Sequence, residues 1–157
     1  MEWKNTYETL RQLGTALAEK YRQNLTDAEA NASYALYDSV TPIIETDEGS
    51  IQVSLSLLDY WKWVEYGTDP GHFPPVDRIR DWINVKPVIP RPFNNGRIPT
   101  PQQLAFLISR KIFNEGIEGR ELMDMSIREI METFKDRIED AITRDVMNNL
   151  DEVLSNL

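Results

Sequence analysis

His72 is the only histidine of the 157-residue chain, and it falls between Asp69 and Asp77. Such a trio could in principle hold a divalent cation. Zinc sites, however, gather several His or Cys ligands, and this chain has one histidine and no cysteine. His72 therefore reads as a turn histidine. Glu65 stands between Val64 and Tyr66. Apolar neighbours raise a carboxyl pKa and can make it a general acid. No second carboxylate, nucleophile or phosphate-binding loop has the spacing to complete such a site. The expected role is structural, with the Glu65 carboxylate capping the Gly67-Thr68 turn. The sequence shows no GxxxxGK, HExxH, GxSxG or glycine-rich dinucleotide loop, and without cysteine it has neither a thiolate nor a disulfide. The reading is of a protein that is not an enzyme, with no catalytic, metal-binding or cofactor-binding residue. A hydrolase with an unrecognised site is the competing class; perturbed carboxylates clustered in a deep pocket would mark it.

The chemistry that is plentiful is aromatic. Tyr60, Trp61, Trp63 and Tyr66 fall within seven residues, and a Gly/Pro-rich turn, Gly67 to Pro75, follows at once. Rings at this density dominate the energetics of a core or an interface. Taken singly, most are core residues, and Trp82, at helical spacing from Ile79, is expected to face inward. Phe93 is different, because it sits in a loop with Arg91, Arg97 and several prolines. Aromatic residues with Arg form interface hot spots. The protein-interface candidates are Trp61, Trp63, Phe73, Arg91, Phe93 and Arg97.

The chain length fits one domain, residues 1–157, with loop 86–100 as a subunit-contact arm. It is large enough to bury about 68–70% of its unfolded surface. Apolar residues make up 41% and charged residues 27%, as in ordinary globular proteins. No apolar run approaches the roughly 18 residues of a membrane span. The opening Met1-Glu2-Trp3-Lys4-Asn5 lacks the pattern of a signal peptide, so cytosolic synthesis is expected. The net charge of −9 argues against sequence-specific DNA binding. Residues 1–69 carry 12 acids and 5 bases, residues 70–111 carry 2 acids and 7 bases, and residues 118–157 carry 11 acids and 5 bases. A basic middle between acidic ends suits self-association, one subunit's loop meeting a neighbour's acidic face; solvated faces without a partner are the competing reading.

The elements that must position these residues follow from periodicity. Trp3, Tyr7, Leu10, Leu13, Leu17, Tyr21 and Leu25 make one helical stripe over residues 3–25, with Gly14 as a point of close packing. Residues 28–37 extend that helix or form a short one. Residues 39–46 and 51–57 read as an antiparallel hairpin around a turn at Asp47-Glu48-Gly49-Ser50, the second strand alternating strictly. Pro42 places the first strand at an edge. Residues 60–66 fit either a short helix or a strand. Pro75 is placed as the first residue of a helix carrying Val76, Ile79, Trp82 and Ile83 inward. Eight of the nine prolines lie between residues 70 and 101, so 86–100 reads as a stiff, extended loop. Thr100, Pro101 and Gln103 form a capping box for a helix that Gly116 closes. Residues 120–155 read as a long amphipathic helix, broken near Ser126. The fold class is α+β: a small antiparallel sheet packed by helices, with a long C-terminal amphipathic helix and a Pro-rich extended loop.

The order of these features resembles a known family. Val64-Glu65-Tyr66-Gly67-Thr68 is followed by a Pro-rich turn, an Ile79/Trp82/Ile83 helix, Gln103-Leu104-Ala105, Ile108-Ser109-Arg110-Lys111-Ile112 and Gly116. Over roughly residues 36–125 this is similar to the small neck, tail-completion or head–tail joining proteins of tailed phages. The resemblance favours the short helix for 60–66. It implies a structural virion protein, made in the host cytoplasm and assembled as a homo-oligomeric ring between the portal or connector and the tail proteins. Such a ring passes DNA without sequence-specific binding, needs no cofactor and touches no membrane. A soluble module that captures a peptide or partner through the Pro-rich loop is the alternative.

Overall fold

The computed structural model describes residues 2–30, 34–47, 49–86 and 88–156. The fold is α+β, dominated by helix, with a small antiparallel hairpin and a long C-terminal helix. The first helix, α1 (Lys4–Asp27), is central: both the hairpin and the C-terminal helix pack on it. Glu29, at φ 50°, ends α1 in the left-handed region where glycine is usual, with Glu29 N–H donating to Thr26 O and Ala30 N–H to Leu25 O. Of the Ala-rich stretch 28–37, residues 31–33 lie outside the described residues; beyond them a short helix, α2 (Ala35–Ser39), forms, the second of the two alternatives.

The hairpin joins β1 (Thr41–Asp47) and β2 (Ser50–Ser56), with Pro42 opposite Leu55 and Ile44 opposite Val53. Glu48 of the expected turn lies outside the described residues. Residues directly opposite share a face, so Pro42, Ile44, Val53 and Leu55 form the face on α1, and Ile43 points to solvent. Gly14 is where the two layers touch: a Cβ there would meet Val53 Cγ1 at 3.1 Å and Pro42 Cβ at 3.5 Å. The glycine thus trades helix propensity for close approach.

The main core lies at the C-terminal end of α1. Ala18, Tyr21 and Leu25 meet Leu36, Val40 and Leu122, flanked by Leu55, Leu57, Tyr60, Trp61 and Val64. Fully burying a large apolar side chain contributes about 1.5–3 kcal/mol, so this cluster is the chief apolar contribution to stability. The ambiguous aromatic segment is a helix, α3 (Trp61–Tyr66). Helical geometry sends Trp61 to the core cluster and Trp63 to solvent, where it is 66% exposed.

After α3 come the two-residue strand β3 (Gly67–Thr68), α4 (Val76–Val85), α5 (Pro101–Glu115), the two-residue strand β4 (Ile117–Glu118) and α6 (Leu122–Ser155). Pro75 is the cap of α4 rather than its first residue. α4 packs on α5 through Ile83, which is buried, whereas Trp82 is 39% exposed instead of inward. A helix packed mainly on one neighbour buries a narrow seam, and Trp82 lies beside it. The loop between α4 and α5 has no regular structure among its described residues; its Pro87 lies outside them. The capping box of α5 is complete, with Gln103 N–H donating to Thr100 Oγ1 at 3.3 Å and Thr100 N–H to Gln103 Oε1 at 3.0 Å. Gly116 closes the helix.

α6 is continuous for 34 residues, with no break near Ser126. Ser126 Oγ donates to Leu122 O at 2.6 Å and accepts from Asn24 Nδ2 at 2.8 Å, so this serine is a contact between α1 and α6. The helix buries Leu122, Phe134 and Ala141 but leaves Ile127, Met131, Ile142, Val146, Leu150, Val153 and Leu154 exposed. The expected apolar stripe is wider than the seam that one neighbouring helix covers.

Val53→Asp places an unpaired charge between the hairpin and Gly14. We predict a loss of several kcal/mol, read as a lower chemical-denaturation midpoint; an unchanged midpoint contradicts the packing of β2 on α1.

Candidate functional site

The candidate site is a clasp where α3 meets the start of α6. Glu65 is 3% exposed, and its carboxylate lies against the first turn of α6. Oε2 accepts from Met123 N–H at 2.8 Å, and Oε1 accepts from Asp124 N–H at 3.0 Å. These are two of the four amides that a helix start leaves without an intrahelical partner, at the positive end of the helix dipole. The carboxylate is structural, as expected, but it caps α6 and not the Gly67-Thr68 turn. The backbone continues the link: Arg120 N–H donates to Val64 O at 3.0 Å and Glu121 N–H to Glu65 O at 3.2 Å.

β3 and β4 extend the clasp as an antiparallel pair, Gly67 opposite Glu118 and Thr68 opposite Ile117. Only glycine fits at this crossing. A Cβ on Gly67 would lie 1.9 Å from Ile117 O, one on Gly116 2.3 Å from Thr68 O, and one on Gly119 2.3 Å from Glu65 O. Gly67 and Gly116 also adopt φ of 72° and 73°, which L side chains avoid. The Val-Glu-Tyr-Gly-Thr run thus has a physical account: Glu65 caps, and Gly67 permits the approach.

Tyr21 is fully buried beneath the clasp. Its pKa is pushed up by burial first, then by the Glu65 carboxylate and by Tyr60. The phenol therefore stays neutral beside the capping charge.

A second carboxylate repeats the device at the far end of α6. Asp145, 2% exposed, accepts from Asn5 N–H at 3.0 Å, Thr6 N–H at 2.7 Å and Asn5 Nδ2 at 2.7 Å. It caps the first turn of α1 from the side. Burial by itself raises its pKa, but the hydrogen bonds from Thr6 and Asn5 outweigh that and hold the carboxyl below the ordinary aspartate range. One turn on, Asn149 grips the Glu2 peptide, accepting from its N–H and donating to its C=O, each at 2.9 Å.

The clasp carries an arm. Both connections to α4, the loop and α5 pass through the β3–β4 pair, and Gly71 N–H donates to Phe113 O at 2.8 Å. Lys86 Nζ ties the arm to the end of α1, donating to Glu29 O at 2.6 Å. Phe73 packs its ring 6.0 Å from Phe106 and 6.1 Å from Phe113. Phe93 opens a tight turn, with Gly96 N–H donating to Phe93 O and Phe93 N–H to Arg97 O, both at 2.8 Å. Its ring lines a groove of about 400 Å³ with Val76, Gln102, Gln103, Phe106 and Leu107, and 40% of the residue stays exposed. Arg91 and Arg97 are exposed. The structure therefore brings Phe73 and Phe93 onto one arm with Arg91 and Arg97, while Trp61 packs at the core and Trp63 lies on the body. His72 is exposed, and among the described residues no three His, Cys, Asp or Glu gather as a metal site. Among the described residues no helix is long and apolar enough to cross a membrane.

Sequence reasoning missed Asp145, Asn149 and Gly119. Their signals were a polar pair four residues apart within an apolar stripe, and a second glycine three residues after Gly116. No family model, curated protein or solved structure matches the chain.

Glu65→Ala leaves two part-buried helix-start amides without acceptors. We expect a cost of about 1–3 kcal/mol, seen as a melting temperature lower by roughly 2–10 °C; an unchanged melt contradicts the cap. Asp145→Asn tests the second cap by pH. A depressed folded-state pKa contributes stability above the unfolded value of about 3.9 and loses it as pH falls through the lower folded value. The variant should be less stable than the parent at pH 7, and the gap should close at acid pH. A gap that does not shrink, or that widens, as pH falls below 4 contradicts the assignment.

Proposed function

We propose that this chain is a structural virion protein of a tailed phage, a ring-forming component of the head–tail connector or neck that acts in head–tail joining or tail completion. The observation that carries the reading is the clasp. Val64 to Thr68 and Gly116, which bear the resemblance, come together there, and what they hold is an arm rich in exposed apolar and cationic residues. Ile89 is 93% exposed, Ile98 67% and Val85 57%. Exposed apolar surface on this scale marks an interaction face. In this reading no residue is catalytic and no cofactor takes part.

A heterologous contact that closes on itself makes a ring. Portal or connector and tail proteins of the same virion bind its two rims, and the channel passes DNA. A net charge of −9 leaves DNA its counterions and avoids trapping it. A second reading, a soluble module that binds a peptide beside the Pro-rich loop, is favoured by the groove under Phe93; a purified protein that is a monomer at every concentration supports it.

The test is electron microscopy of the purified protein with sedimentation of the same sample. Closed rings are expected; monomers together with absence from the neck of purified particles contradict the reading. Duplex DNA should show no measurable shift at physiological salt. Clear, salt-sensitive binding that is lost in Arg91→Glu/Arg97→Glu contradicts passive passage.

A further inference from the structure

Two surfaces of the molecule are left without partners and are opposite in charge. The first is on the arm. Of the seven bases in residues 70–111, three are neutralised within the chain: Arg80 by Asp77 and Asp81, Lys86 by Glu29, and Lys111 by Glu115. Among the described residues Arg91 and Arg97 make no ion pair, and the loop from 88 to 98 hydrogen-bonds only within itself. Its neighbouring side chains are the exposed aliphatics Ile89 and Ile98.

The second surface is on α6. Glu132, Asp136, Glu139, Val146, Leu150 and Val153 recur at steps of three, four or seven residues, all exposed. They lie on one side of the helix, turned away from the seam with α1 that Phe134, Ala141, Asp145 and Asn149 form. The line from Glu132 to Leu150 is about 27 Å long at helical rise. Its first part is net acidic, three carboxylates beside the single cation Lys135, and its second part apolar. The other carboxylates of α6 are partly committed: Glu129 pairs with Lys20, Asp124 with Arg128, and Asp145 caps α1. Glu132, Asp136 and Glu139 make no ion pair among the described residues. The apolar part adjoins a groove of about 1030 Å³, where Ile142 faces Trp3, Tyr7 and Leu10 of α1 and Ile51 of the hairpin.

We propose that loop 88–98 of one copy docks along this outer stripe of α6 of a second copy. Arg91 and Arg97 meet Glu132, Asp136 and Glu139, and Ile89 and Ile98 cover the apolar part beyond them. The complementarity has two components, charge against charge and aliphatic against aliphatic. Bare isoleucines flanking the arginines, Ile89 before Arg91 and Ile98 after Arg97, suit a protein surface and do nothing for a phosphate backbone. The contact joins different surfaces of the two copies, so it is head-to-tail and repeats. The inference rests on the reading of the chain as a ring subunit and names the contact that closes the ring.

The experiment is a charge swap on the full chain, read by sedimentation velocity across concentration and salt. Arg91→Glu/Arg97→Glu and Glu132→Arg/Asp136→Arg/Glu139→Arg are each expected to weaken self-association at least about tenfold. The chain carrying both sets should regain it. All five residues are exposed, so each variant should melt within a few degrees of the parent, which separates lost docking from lost folding. Wild-type assembly that survives either set, or that the combined chain fails to regain, overturns the docking while leaving the ring reading standing. A wild-type chain that is monomeric throughout overturns both. A duplex-DNA shift lost in the arginine set and not regained in the combined chain assigns the loop to nucleic acid and overturns the proposal.

Discussion

The fold depends on one carboxylate. α6 is the longest element, and its start is fixed by Glu65, whose two oxygens take the Met123 and Asp124 amides. A helix start partly shut off from water needs such acceptors, because an unpaired amide away from water costs about 1–3 kcal/mol. Serving the cap from another helix, and not from the residue before α6, makes local capping into a tertiary constraint. It sets where α3 ends, where α6 begins and how far apart they lie. Three glycines follow from it, since the chains can cross at this distance only without side chains.

Asp145 repeats this logic further along α6, and its cap on Asn5 and Thr6 fixes the register of α1 against α6. Apolar seams slide at low cost; a polar group that finds its partners at one register does not. Asn24 on Ser126 and Asn149 on the Glu2 peptide add two further pins. The seam between these helices is thus specified by hydrogen bonds more than by volume. That leaves the outer apolar side of α6 uncovered. The arm beyond the clasp shows the same division: it is anchored by backbone pairs and Lys86, with its aromatic and aliphatic surface turned outward.

What was legible in the sequence was local. The alternation of Ile51 to Leu57, the stripe of α1, the Thr100 capping box and the Gly116 stop depend on neighbours a few residues away, and each formed as read. What was not legible depended on distance along the chain. Glu65 reaches an amide 58 positions on, and Asp145 reaches one 139 positions back; no spacing rule announces such partners. Trp82 reads as inward, and the breadth of exposed apolar surface on α6 goes unannounced, because periodicity reports which side of a helix is apolar, not how many neighbours exist to cover it. Of the interface candidates, Phe73, Arg91, Phe93 and Arg97 come together on the arm, while Trp61 turns to the core because α3 is a helix.

Hydrogen–deuterium exchange resolved to single amides at the start of α6 tests the central claim most directly. The first amides of a helix ordinarily exchange fast, because nothing in the helix holds them. If Glu65 is the cap on which the clasp is built, the Met123 and Asp124 amides exchange only when the molecule opens globally, as slowly as the amides around Tyr21 and Leu25. Exchange at those two positions at the rate of a frayed helix end, with the core of α1 still protected, contradicts the account.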